Sequence, residues 1–69
     1  MSLPLGKYKH YKGPEYYVLG VARHSETEEE LVVYKKLYGD GSLWVRPLAM
    51  FTEIINVDGK PCPRFEKVD

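Results

Sequence analysis

The 69-residue sequence predicts an all-β fold, a small antiparallel barrel of five or six strands with one short helical turn. Two observations carry that prediction. Aromatic and β-branched residues gather in short runs, as they do on a pleated, half-buried surface. Glycine, proline and an Asp–Gly pair punctuate those runs at short intervals. One stretch offers a competing helix: in Glu28–Leu37, Thr27 is a candidate cap and three glutamates would fill the first turn. Val32-Val33, Tyr34 and Tyr38 favour a strand there.

Lys7-Tyr8-Lys9-His10-Tyr11-Lys12 opens the first strand, and Gly13-Pro14 closes it. Tyrosines three apart do not share a strand face, so a bulge or an early end is expected. Tyr16 to Ser25 is the second strand, with Gly20 marking a bend or bulge. Glu26–Glu30 forms the hairpin loop to a third strand, Leu31 to Tyr38. Gly39-Asp40-Gly41 turns the chain into a short strand, Leu43 to Arg46. Pro47 suits a helix start, and Leu48-Ala49-Met50-Phe51 makes the single helical turn. Ile54–Val57 and Lys60–Phe65 flank Asp58-Gly59, the clearest hairpin signal in the chain. Pro61 and Pro63 lose N–H groups on the same side, which an edge strand tolerates.

The order of parts is similar to an SH3-like barrel, and closure would remove edges that so small a sheet cannot protect. Residues 1–69 read as one domain, with 1–5 as a flexible tail. A domain of this length buries only about 60% of its unfolded surface, so its stability rests on efficient packing. A single cysteine, Cys62, excludes an intramolecular disulfide. Cys62, His10 and His24 are too few, and too irregularly spaced, for a metal clip, and no metal or cofactor is expected. Stability is therefore assigned to the six tyrosines, Trp44, Phe51 and Phe65, helped by weak self-association if the chain is not a monomer. The strand around Tyr8 is expected to be the unprotected edge. A lone thiol, no secretory leader and no membrane-spanning run point to the cytoplasm, away from membranes.

Gly6-Lys7-Tyr8-Lys9-His10-Tyr11-Lys12-Gly13, Tyr16 to Thr27, Leu37-Tyr38-Gly39-Asp40, Leu43-Trp44-Val45-Arg46-Pro47, Met50-Phe51 and Pro63-Arg64-Phe65 together resemble a family of small bacterial proteins, the domain of unknown function DUF1653. The resemblance runs from Gly6 to Phe65. It implies a compact, soluble, mostly bacterial domain and brings no activity or catalytic residue with it.

Two strands end on arginine, in Val21-Ala22-Arg23-His24 and in Leu43-Trp44-Val45-Arg46. A guanidinium can stack on an aromatic ring and still present donors to a carboxylate or phosphate. Arg46 shares a face with Trp44, and Arg23 shares one with Leu19 and Val21. The alternative is an internal pair with Glu26, Asp40 or Glu53. His24-Ser25-Glu26 looks catalytic, but neighbouring strand residues point to opposite faces, so no catalytic residue is assigned. Tyr8 and His10, next to the lysines, complete the candidate set of Arg46, Trp44, Arg23, His24, Tyr8 and His10.

Three function classes follow. The first is a non-enzymatic module holding a protein or peptide partner on an aromatic and arginine surface. The second is a small-ligand protein or enzyme acting on an anionic substrate at a His/Arg cluster; it requires a cleft holding His24 and both arginines. The third is nucleic-acid binding through Lys7, Lys9, Lys12 and the tyrosines, which the zero net charge weakens.

Overall fold

The computed structural model describes residues 3–69. Seven strands and one helical turn follow in order: β1 (Gly6–His10), β2 (Glu15–Arg23), β3 (Glu30–Lys36), β4 (Leu43–Pro47), α1 (Leu48–Phe51), β5 (Ile54–Val57), β6 (Lys60–Pro63) and β7 (Phe65–Lys67). Five of them build one antiparallel sheet in the order β4-β3-β2-β1-β7, while β5 and β6 pair as a separate hairpin. The class is all-β, and Glu28–Leu37 contributes a strand, not a helix. No helix among the described residues is long and apolar enough to cross a membrane.

The seventh strand arises because the run Lys60–Phe65 breaks at Arg64. The Arg64 N–H donates to the Glu53 carbonyl, and its own carbonyl accepts from the Tyr11 N–H, each at 3.0 Å. The chain thereby leaves β5 and pairs Phe65–Lys67 with β1. This places β1 between two neighbours, so the strand around Tyr8 is interior. The edges of the main sheet are β4 and β7, and no backbone ladder joins them among the described residues. Side chains bridge the seam: the Phe65 ring lies 5.9 Å from that of Tyr34, and the Arg46 guanidinium carbon lies 5.6 Å from its centroid.

Gly20 sits beside the expected bulge. Val18 pairs with Tyr34 and Gly20 with Val33, so Leu19 is the extra residue on β2. A one-residue insertion reverses the faces beyond it. Leu19 turns to solvent, Val21 returns to the core side opposite Val32, and Arg23 shares its face with Val21 but not with Leu19. At the last hairpin, Asp58 (φ 51°) and Gly59 (φ 78°) both take the left-handed backbone of a two-residue turn that follows the strand twist.

The core is small and aromatic: Tyr8, Val18, Val32, Tyr34, Leu48, Phe51 and Phe65. Phe51, delivered by α1, stacks on Phe65 at 4.0 Å with the planes 4° apart, and Tyr8 meets its edge at 5.4 Å. Of the expected tail, residues 1 and 2 lie outside the described residues. Leu3 packs against the core, and the Tyr8 hydroxyl donates to the Pro4 carbonyl at 2.8 Å.

Candidate functional site

The β3–β4 register sets Trp44 opposite Tyr34 and Arg46 opposite Val32. Tyr34 and Val32 are buried, so Trp44 and Arg46 stand on the core-facing side of the sheet, at its open edge. Trp44 is still 52% exposed, because no strand lies beyond β4 among the described residues. Its indole N–H donates to the Ser42 hydroxyl at 2.9 Å. Arg46 is half-buried over Phe65, and its Nε donates to the Tyr34 hydroxyl in a long contact of 3.4 Å.

Arg23 pairs with Glu28 at 3.4 Å and Arg64 with Glu53 at 2.7 Å. Arg46, the third arginine, has no carboxylate within ion-pair distance among the described residues. Its guanidinium therefore lies over the Phe65 ring and against the Tyr34 hydroxyl without a counter-charge. The neighbourhood registers that charge. Burial lowers the His10 imidazole below its ordinary pKa, and Arg46, Arg64 and Lys12 depress it further. The His10 ring lies 4.9 Å from Phe65, and its Nδ1 accepts the Lys12 N–H at 3.1 Å.

Three further side chains extend this face, and sequence reasoning did not single them out as a group. The Tyr16 ring meets Tyr34, Tyr38 and Phe65 at 5.2, 5.7 and 5.7 Å. Its hydroxyl shares a 2.9 Å hydrogen bond with that of Tyr38, and burial followed by this bond pushes its pKa up to about 12. Lys36 lies over the Tyr38 ring at 4.9 Å and the Trp44 ring at 5.7 Å, with its ammonium 3.5 Å from Asp40. Their signal was the β3–β4 hairpin itself, since a tight turn after Tyr38 folds Lys36 and Trp44 onto neighbouring strands.

Arg46 and His10 thus come together around Phe65, and Trp44 stands on the same side of β4 as Arg46, two residues away. Tyr8 does not join them: at 5% exposure it is a core residue whose hydroxyl is already used. Arg23 and His24 lie at the β2–β3 hairpin end. The His24 Nδ1 accepts the N–H groups of Glu26 and Thr27 at 3.1 and 3.3 Å, which makes the imidazole a loop cap. Arg23 holds the same loop through Glu28, a different partner from those considered in the sequence, because Glu28 takes a left-handed backbone (φ 61°).

A cavity of about 300 Å³ is lined by Glu29, Glu30, Leu48, Ala49 and Thr52, and another of about 220 Å³ by Lys9, His10, Tyr11, Cys62, Pro63 and Glu66. Neither gathers His24 with the two arginines.

A family model described as a protein of unknown function (DUF1653) matches residues 6–67. Among solved structures, a protein from Bordetella bronchiseptica described as belonging to the same family is similar over 96% of this chain and 87% of its own, with 40% sequence identity and a TM-score of 0.88. The comparison with curated proteins finds no match.

Proposed function

Since this chain belongs to the DUF1653 family, whose description names no activity, we propose from its geometry that it is a small non-enzymatic binding module, holding a protein or peptide partner on the face formed by Arg46 and Trp44. The observation that carries this reading is the half-buried Arg46 guanidinium without a carboxylate among the described residues. A carboxylate from a partner would meet a half-buried cation oriented by the Phe65 ring and the Tyr34 hydroxyl and form charge-assisted hydrogen bonds, which are stronger than neutral ones. Trp44 supplies exposed aromatic area beside it, the residue type most often found at the centre of interfaces. The compartment that fits is a bacterial cytoplasm, where the free thiol of Cys62 stays reduced.

The test is a capture experiment from bacterial lysate with wild type, Arg46→Ala and Arg23→Ala, each with and without nuclease. The reading predicts a partner lost with Arg46→Ala, retained with Arg23→Ala and indifferent to nuclease. Capture abolished by nuclease would replace it with nucleic-acid binding, which also requires an affinity falling steeply with salt.

A further inference from the structure

The β4 edge carries an unpaired set of backbone groups in a self-complementary order. The Lys36 N–H donates to the Ser42 carbonyl at 3.1 Å across the β3–β4 hairpin. Antiparallel pairs alternate between bonded and non-bonded, so Tyr34/Trp44 and Val32/Arg46 are the next bonded pairs. The backbone groups of Leu43 and Val45 consequently point away from β3, towards the open side of the sheet. Pro47, on the same side, has no N–H to leave unpaired. The side chains of Leu43 and Val45 are 62% and 59% exposed on the outer face. Uncovered among the described residues, such an edge is a template for another strand; Pro47 and the inward-facing Arg46 limit pairing at its end, so pairing is confined to Leu43–Val45 and to a partner that brings an anion to Arg46.

We propose that the partner of this face is a second copy of the chain, added antiparallel along β4 about a two-fold axis at Trp44; the inference rests on the Arg46 reading above. In that register Leu43 faces Val45 of the second copy and the reverse, so every N–H and C=O of the two residues is paired. Trp44 faces its symmetry mate at a non-bonded position, where side chains on neighbouring strands approach most closely. Arg46 falls opposite Ser42 of the second copy, beside the turn that carries Asp40. The Asp40 side chain is 73% exposed and reaches Lys36 at 3.5 Å, leaving one face of the carboxylate to solvent. The cation that lacks a counter-charge among the described residues thus meets an anion, twice by symmetry. With a formal charge of zero, the two copies approach without net repulsion. Pairing one short edge buries less than the roughly 1,200 Å² of a standard interface, so the dimer is a weak one.

Sedimentation equilibrium of the full chain from about 10 μM to 1 mM, the range in which interfaces below standard size assemble, tests this. The apparent mass should rise from 8.0 kDa towards twice that value. Val45→Pro deletes an edge N–H but no ladder bond, since Val45/Val33 is a non-bonded pair; it should raise the dissociation constant at least tenfold at unchanged circular dichroism. Arg46→Glu should abolish the dimer, and adding Asp40→Lys should restore it. A mass of 8.0 kDa at every concentration, an unaffected Val45→Pro dimer, or growth beyond two copies through β4–β7 contacts would each overturn the proposal. A monomer that still binds a blocked peptide of alternating valine and glutamate through Arg46 removes the second copy and leaves the binding reading intact. A monomer that also ignores this peptide removes both.

Discussion

Replacing Phe65 with leucine removes the ring on which both the core and the site rest. Phe65 stacks on Phe51, takes the edges of Tyr16 and His10, and lies beneath the Arg46 guanidinium. An aromatic pair contributes about 0.5–1.5 kcal/mol beyond the area it buries. The smaller side chain also leaves a void of roughly 20 Å³, worth about 0.5 kcal/mol at the usual cost per unit of cavity volume. Because Phe65 packs against several rings the upper end of that range applies, and the loss is about 2 kcal/mol, a large share of the roughly 3–10 kcal/mol available to a chain of this length. The melting temperature should then fall by roughly 8–16 °C. Urea unfolding followed by circular dichroism measures the loss, with Tyr17→Leu on the exposed outer face as the control at about 0.5 kcal/mol or less. If Phe65→Leu costs no more than that control, the packing described here is wrong.

Removing the charge in Arg46→Gln should raise the His10 pKa, read by NMR titration of the imidazole, because Arg46 helps to depress it. In the wild type the fold prefers neutral His10, so stability falls as pH drops below the unfolded-state value of about 6.5 and levels off under the lower folded value. Tyr16 has the opposite sense: its raised pKa means stability is lost as pH climbs past about 10, the value for an unfolded tyrosine. Tyr38→Phe should bring the Tyr16 pKa down from about 12 while leaving it elevated, since burial is the larger cause; ultraviolet titration follows it. His24→Ala should cost about 1 kcal/mol through the two loop N–H groups it uncaps and leave partner capture unchanged.

The parts of the fold readable in the sequence are those decided by neighbours along the chain. Asp58-Gly59 names its turn because few residues tolerate two successive left-handed conformations. Val32-Val33 names its strand, and Gly20 lies beside the residue that bulges. What was not readable depends on residues far apart. The pairing of Phe65–Lys67 with β1 joins the two ends of the chain, and it moved the expected open edge from the Tyr8 strand to β4. It also sent Tyr8 into the core and made Phe65 the centre of the site, although nothing local distinguishes Phe65 from Phe51. The two arginine-ended strands look alike as sequence. They part only because Glu28 bends back onto Arg23, while the surroundings of Arg46 are rings and other cations.

The side-chain Nε–Hε resonances of the three arginines provide the most direct measurement. Dilute, isotopically labelled protein is titrated with a blocked peptide of alternating valine and glutamate while those signals and the Trp44 indole are followed. Arg46 and Trp44 should shift together and saturate, while Arg23 and Arg64, already paired with Glu28 and Glu53, stay in place. Equal shifts at all three arginines, or a shift at Arg23 with none at Arg46, would contradict this.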